Sequence, residues 1–264
     1  MSMEPTALEQ RLEAARTLAG EMGDITLDYF GRERLAIDRK ADGSIVTEAD
    51  RAAEAHARSV LGARYGEDGL LGEEHGEVEG DSPWRWVIDP IDGTVSFARG
   101  VPAYGVLIGI EYEQVPVGGI IHLPAWGETV WGGRGLGAWQ RRCGEAPRPA
   151  RVSEVDALSE AMVCTTTWDY FRDGGSVDFH DRLVRACTTR GWSDCSAHLL
   201  LATGRIDAVV DPLLSRWDIS ASIAVVEAAG GRVTDLGGRF DPGCSNAVLS
   251  NGRLHDSILA LASP

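Results

Sequence analysis

Residues 84–97 read WRWVIDPIDGTVSF. Trp84 to Ile88 is apolar except for Arg85, and such a run of aromatic and β-branched side chains predicts a buried strand. Two aspartates follow, Asp89 and Asp92, set around Pro90-Ile91. Proline has no N–H and a fixed φ, so Pro90 is expected to end the strand ladder after Asp89 and turn the chain. A turn there brings both carboxylates toward one pocket and leaves the Ile91 carbonyl as a neutral oxygen donor. Gly93-Thr94 then opens a short helix whose free N–H groups suit an anion such as phosphate. Two carboxylates beside an anion site repel the anion unless a divalent cation lies between them. Oxygen-only donors select hard ions such as Mg2+ or Mn2+. Taken alone, the same residues also read as ordinary turn formers.

Downstream, residues 104–112, 116–123 and 127–133 are further strand-like runs separated by short Gly- and Pro-bearing turns, which predicts an antiparallel sheet. Upstream, residues 5–30 repeat apolar positions at helical spacing through Leu8, Leu12, Ala15, Leu18, Met22 and Ile25, and Gly31 stops the helix. Residues 34–40 read as a short strand and 47–66 as a second helix. Thr47 is its expected N-cap, with Asp50 at N3 in an acidic variant of the capping box. The acidic stretch GEEHGEVEGD (72–81) reads as a loop.

The polar stretch 141–153 holds two prolines and marks the expected boundary between residues 1–145 and 146–264. Beyond it, short strands alternate with helices. The expected fold class is α+β, an antiparallel sheet half covered by helices, followed by an alternating α/β half. The first half would carry most of the candidate metal ligands, and the second would carry Asp218 and the residues that select substrate.

Bulk properties narrow the function. The chain has 264 residues, 44% hydrophobic and 25% charged, ordinary for a globular protein with a sizeable core. Its net charge of −15 and the lack of a basic stripe argue against nucleic-acid binding. No run reaches the length of a membrane span. The first 20 residues hold no apolar core of signal-peptide type. Five cysteines, none in a CxxC pair, fit free thiols in a reducing cytoplasm.

Two more acidic positions stand out. Trp217-Asp218 precedes a helix expected to run to about Ala229, with Asp218 as its apparent N-cap. Glu73 and Glu74 follow the apolar pair Leu70-Leu71. No basic partner stands in the motifs of these carboxylates. The haloacid-dehalogenase pattern does not fit, because it needs aspartates two apart and these are three apart.

Together, GEE (72–74), IDPIDGT (88–94) and WDISASIAVVEAAGG (217–231) resemble the inositol monophosphatase family, Mg2+-dependent, lithium-sensitive phosphomonoesterases. The stretches 38–50 and 250–259 extend the resemblance over essentially the whole chain. It implies a layered α/β/α/β/α sandwich. It further implies that Glu73, Asp89 and the Ile91 carbonyl hold one Mg2+, that Asp89, Asp92 and Asp218 hold a second, and that Glu73 helps hold a third, with Mn2+ able to substitute. Gly93 and Thr94 would receive phosphate oxygens. Thr94, hydrogen-bonded to Asp50, would help activate the attacking water, with Glu73 also in a catalytic role. Divalent cations would neutralise the phosphate dianion and stabilise the leaving alkoxide. Ser96 stands where many relatives carry Asn, and Asp211 where many carry Glu.

The stretches 189–212 and 99–111 most resemble the histidinol-phosphatase branch. That likeness marks Trp192, Ser193, Asp194, Asp211 and Asp218 as candidate substrate residues. The plainer reading makes Trp192 a core residue and Asp194 a helix cap. Alternative substrates are inositol 1-phosphate, fructose bisphosphate or a phosphoadenosine nucleotide, although a basic cluster for a second phosphate is not evident. A non-catalytic regulatory relative is the alternative of another class. A homodimer in the cytoplasm is expected, acting on a small phosphorylated metabolite, with no nucleic-acid or membrane partner.

Overall fold

Pro5 opens the first helix, α1 (Pro5–Tyr29), at a position whose N–H would go unpaired in any helix. Leu8, Leu12, Ala15, Leu18 and Met22 form its buried stripe. The hairpin β1 (Ile37–Arg39) and β2 (Ile45–Thr47) leads into α2 (Glu48–Arg64). The expected capping box is present: the Thr47 N–H donates to Asp50 Oδ2 at 2.8 Å and the Ala49 N–H to Thr47 Oγ1 at 3.2 Å. The computed structural model describes residues 3–32, 35–40 and 43–262. Arg34 of the expected first strand, and Ala41-Asp42 within the stretch 38–50, lie outside the described residues.

Eight strands then build a large sheet: β3 (Gly69–Gly72), β4 (Gly76–Val78), β5 (Trp84–Asp92), β6 (Gly105–Tyr112), β7 (Val115–Leu123), β8 (Glu128–Gly133), β9 (Gly137–Arg142) and β10 (Arg148–Pro149). Their order is β10-β9-β8-β7-β6-β5-β3-β4. Every pair is antiparallel except β3 with β5. The acidic loop of residues 72–81 is thus in part a β3–β4 hairpin, turned at Gly76 with φ 72°. Its exposed edge strand shows no apolar alternation, which is why it reads as a loop. Pro90 does not end β5. The ladder with β6 pairs Asp89 with Leu107, skips Pro90 and Ile91, and resumes at Asp92 with Gly105. A bulge absorbs the missing donor and lets the strand continue.

The short helix α3 (Thr94–Ala98) follows β5. The second half contains β11 (Met162–Thr165), α4 (Trp168–Asp173), α5 (Val177–Ala186), β12 (Thr188–Arg190), α6 (Asp194–Ala202), β13 (Ala208–Asp211), α7 (Arg216–Ala228), β14 (Arg232–Thr234), β15 (Ala247–Ser250) and α8 (His255–Ala262). Its five strands are ordered β12-β11-β13-β15-β14. The first three are parallel, as alternation predicts, and the last two are antiparallel.

Three cores stack these elements into the expected α/β/α/β/α sandwich. Leu8, Leu18 and Met22 of α1 and Leu61 of α2 pack on Trp86, Ile108 and Ile120 of the large sheet. The opposite face of that sheet, through Leu107, Ile121 and Val130, meets α6 and α7, which in turn pack on Val209 and Leu249 of the small sheet. Phe171, Phe179 and Ile258 of α4, α5 and α8 cover its outer face. The central helices sit very close to the large sheet. A Cβ on Gly119 would lie 2.4 Å from the Ala221 carbonyl oxygen, and one on its cross-strand partner Gly109 would lie 2.5 Å from Ser220 Oγ. Bare backbone at this pair lets α7 lie close on β6 and β7 at Ser220 and Ala221, just beyond Asp218.

Candidate active site

The bulge in β5 gives the site its shape. Asp89 is 1% exposed, and its Oδ1 accepts the Ile91 N–H at 3.0 Å. Gly93 takes φ 86°, and a Cβ there would meet the Ala103 carbonyl oxygen at 2.9 Å, so only glycine turns the chain into α3 without strain. Asp92 points across to the other half, where its Oδ2 accepts the Cys195 N–H at the start of α6. Asp218 is not the N-cap of α7. The helix starts one turn earlier, at Arg216 after Ser215, and Asp218 sits at N3. From there its Oδ2 accepts the Ser215 N–H at 2.6 Å.

Ligand oxygens of Asp89, Asp92 and Asp218 lie within 4.8 Å of one another. Burial pushes the Asp89 and Asp92 carboxyls well above their ordinary range. Glu73, Asp92 and Asp218 add repulsion at Asp89, and Asp194 and Asp218 add it at Asp92. Burial likewise lifts Asp218 to about 7 against the Ser215 hydrogen bond, helped by Glu73, Asp211 and Asp194. A hard divalent cation fits this set: all the donors are oxygens, they are buried, and their charges are uncompensated. The Ile91 carbonyl accepts the Thr94 hydroxyl at 2.9 Å and retains a second lone pair.

Beside this set, Lys40 pairs with the glutamates of the 72–74 stretch. Its Nζ lies 2.7 Å from Glu73 and 2.7 Å from Glu74. Burial would depress the ammonium pKa, and the two carboxylates outweigh it and raise it. The acidic motifs themselves hold no basic partner, as expected, and Glu73 finds one elsewhere in the chain. That partner lies 33 residues upstream of Glu73, within the stretch 38–50, and its pairing with Glu73 is not legible from local spacing. Glu54 of α2, fully buried, accepts the Glu74 N–H at 2.7 Å and the His75 N–H at 3.1 Å, holding the hairpin that carries Glu73.

Thr94 and Asp50 are not paired as the family resemblance implies. The Thr94 hydroxyl is on the Ile91 carbonyl, and Asp50 Oδ2 takes both the Thr47 N–H and the Thr47 hydroxyl. Asp50 Oδ1 is buried and has no hydrogen-bond partner among the described residues. Burial raises its pKa to about 7 against the Thr47 bonds, with Glu74 and Glu73 adding to the rise.

The ends of β12 and β13 add a second pair of carboxylates. Asp194 is the first residue of α6, not its cap, and has φ 60°, a left-handed conformation that aspartate tolerates better than most residues. Ser193 Oγ donates to its Oδ2 at 2.9 Å. Burial raises the Asp194 carboxyl against that bond, and Asp211 raises it further. Asp211 is buried at the end of β13, 2.9 Å from His198 Nε2. Trp192 is 47% exposed and so is not a core residue. Tyr170 of α4 also faces the set: burial raises its phenol, and Asp194, Asp218, Asp92 and Asp211 raise it further. Neither Tyr170 nor His198 carries a sequence signal, because their neighbours here come from other elements.

The model of the Inositol monophosphatase family matches residues 7–263. A histidinol-phosphatase of Chlorobaculum parvum is 43% identical over 229 residues, covering 86% of each chain. One of Streptomyces coelicolor is 38% identical over 253 residues, covering 94% of this chain and 95% of that one. Among solved structures, an inositol monophosphatase of Zymomonas mobilis matches with a TM-score of 0.83 at 32% identity, over 97% of this chain and 98% of that one.

Proposed function

The chain belongs to the inositol monophosphatase family and is a phosphomonoesterase, and on that premise we propose that it hydrolyses L-histidinol phosphate to L-histidinol with Mg2+. The observation that carries the reading is the closeness of two carboxylate sets. Asp92, grouped with Asp89 and Asp218, accepts the N–H of Cys195, the residue after Asp194. A Cβ on Gly93 would lie 3.5 Å from Asp194 Oδ2, and Asp211 acts on both Asp194 and Asp218. L-Histidinol phosphate has one end for each set. Its phosphate dianion enters such a site only with divalent cations, and its ammonium group is drawn to carboxylates left free of metal. The two histidinol-phosphatases above support the same substrate.

In this reading Glu73, Asp89, Asp92, Asp218 and the Ile91 carbonyl hold two or three Mg2+ ions, which Mn2+ can replace. The bound ions would neutralise the ester and lower the pKa of a water. The N–H groups of Gly93 and Thr94 orient the phosphate. The Thr94 hydroxyl and the unpartnered Asp50 Oδ1 position the attacking water, and a carboxyl with a pKa near neutrality is suited to accept its proton. Lys40 holds Glu73 in place. Asp194 and Asp211 receive the ammonium, and Trp192 covers the imidazole, with Ser193 fixing Asp194. The active form in this proposal is a cytoplasmic homodimer.

The test is phosphate release from L-histidinol phosphate, inositol 1-phosphate, fructose 1,6-bisphosphate and phosphoadenosine phosphate, with and without Mg2+. The expected order puts L-histidinol phosphate first, by roughly tenfold to a hundredfold in kcat/KM over inositol 1-phosphate, the value of one charged hydrogen bond. Inositol 1-phosphate is the second reading, because Asp211 also accepts from a neutral hydroxyl, though more weakly than from an ammonium. If it is the better substrate, the first reading is wrong, and full turnover in excess EDTA would overturn the metal dependence.

A further inference from the structure

A buried chain of three side chains runs from the end of β13 through α6 to α7, and the proposed hydrolysis leaves two of them without a task. Asp211 Oδ2 lies 2.9 Å from His198 Nε2, and His198 Nδ1 lies 2.9 Å from Ser222 Oγ. His198 is 2% exposed and Ser222 0%. An ionised carboxylate only accepts hydrogen bonds, so Nε2 carries the hydrogen. In a neutral ring Nδ1 then accepts from the Ser222 hydroxyl. The bonds run from Ser222 to His198 to Asp211. A buried serine that spends its proton on the ring is a donor here, not a nucleophile.

We infer that His198 is the positioning residue for Asp211, holding one carboxylate oxygen as a neutral donor so that the other oxygen and the full negative charge face the cationic end of the substrate. The inference rests on the reading of Asp211 as a substrate carboxylate. Its geometry has two consequences. An aspartate is one methylene shorter than glutamate and has two side-chain torsions. Fixing one oxygen from behind therefore sets the plane in which the other is offered. A protonated ring would act differently, because an imidazolium beside Asp211 would cancel the charge that attracts an ammonium. With the ring neutral, Nδ1 is left to accept from the Ser222 hydroxyl. The charge of Asp211 reaches the pocket, since it helps raise Asp194 and Asp218.

Two experiments test the inference. Nitrogen-15 NMR of the imidazole reads the tautomer without reference to any substrate. The expected signature is a neutral ring protonated at Nε2, and Ser222→Ala is expected to disturb it. An imidazolium, or an Nδ1-protonated ring, overturns the inference. The second experiment compares KM and kcat for L-histidinol phosphate and for glycerol 2-phosphate, whose alcohol is neutral. His198→Leu is expected to raise KM for L-histidinol phosphate roughly tenfold with kcat nearly unchanged, and to leave both constants for glycerol 2-phosphate within about twofold. His198→Gln, whose amide can still donate to Asp211, is expected to recover most of the loss. Equal damage to both esters, or no recovery with glutamine, makes His198 a packing residue and overturns the proposal. A wild-type protein with no preference for the ammonium ester instead refutes the substrate reading, and the tautomer measurement still decides the hydrogen-bond chain.

Discussion

The two carboxylate sets of the pocket are held by different kinds of donor. Asp89, Asp92 and Asp218 each accept a backbone N–H, from Ile91, Cys195 and Ser215. Asp194 and Asp211 are held by side chains, Ser193 Oγ and His198 Nε2. A backbone donor exists at every residue but proline and survives any change of side chain. On the proposed reading, a metal set held by amides keeps its geometry whatever side chains surround it. A set held by side chains is retuned by single substitutions. On this view the common reaction belongs to the large sheet and the first turn of α7, and the choice of ester belongs to the ends of β12 and β13.

Removing one charge from the amide-held set should break the contrast most severely. In Asp92→Asn the side-chain oxygen still accepts the Cys195 N–H, so the fold should persist. The expected loss in kcat at saturating Mg2+ is on the order of 10³-fold for every ester alike, the scale of a lost electrostatic partner at the reacting centre. A variant that hydrolyses normally, or that unfolds, would remove Asp92 from the metal set. Thr94→Ala comes next. Its N–H remains, so kcat should fall roughly 10²-fold while KM moves less. A rise in KM with kcat unchanged would leave the hydroxyl a binding role only.

Asp194→Asn probes the side-chain-held set and should do less. The preference for L-histidinol phosphate should drop by roughly tenfold to a hundredfold, with glycerol 2-phosphate spared, because the metal set is untouched. Equal loss for both esters would make Asp194 a structural residue of α6, and the two sets would no longer be separable.

The same division explains what the sequence makes legible. IDPIDGT and the pair Trp217-Asp218 can be read because each packs its carboxylates and its turn chemistry into a few adjacent residues. The helix stripes of α1 and α2 are local in the same sense. Lys40 and His198 escape because their partners are 33 and 13 residues away in sequence. The β3–β4 hairpin escapes because its exposed strand alternates nothing. The bulge at Pro90-Ile91 reverses a sound local rule, since the pairing with β6 resumes at Asp92 and carries the strand past the proline. Ser215 displaces Asp218 as the cap of α7 because Ser215 to Asp218 forms a capping box with Asp218 at N3, the same pattern as Thr47 to Asp50.

The smallest expected effect appears with metal removed. Burial and mutual repulsion then raise the Asp89 and Asp92 carboxyls well above their ordinary range and Asp218 to about 7. Each keeps a proton in the folded state at pH values where the unfolded chain has released it. Their stabilising contribution is thus complete below about pH 4 and is lost as the pH rises through each raised pKa, about 7 for Asp218. Buried histidines act in the opposite sense. Burial lowers His122 to about 4 and His255 to about 4, so their contribution is lost as the pH falls from about 6.5 toward 4. The two slopes overlap, and a single profile of Tm against pH conceals both. Subtracting the profile of Asp92→Asn from that of the wild type, both in excess chelator, cancels the histidines. The two proteins should melt together near pH 4. Near pH 7.5 the variant should be the more stable by about 1–2 kcal/mol, or a few degrees in Tm, a modest value because neighbouring carboxylates share the released protons. Asp194→Asn should open a narrower gap, since the Ser193 hydroxyl already steadies that charge. Adding Mg2+ should reverse the sign for Asp92→Asn and leave Asp194→Asn nearly unmoved. A gap for Asp92→Asn that does not change with pH would mean that its carboxylate bears no buried repulsion, and the contrast between the two sets would lose its electrostatic basis.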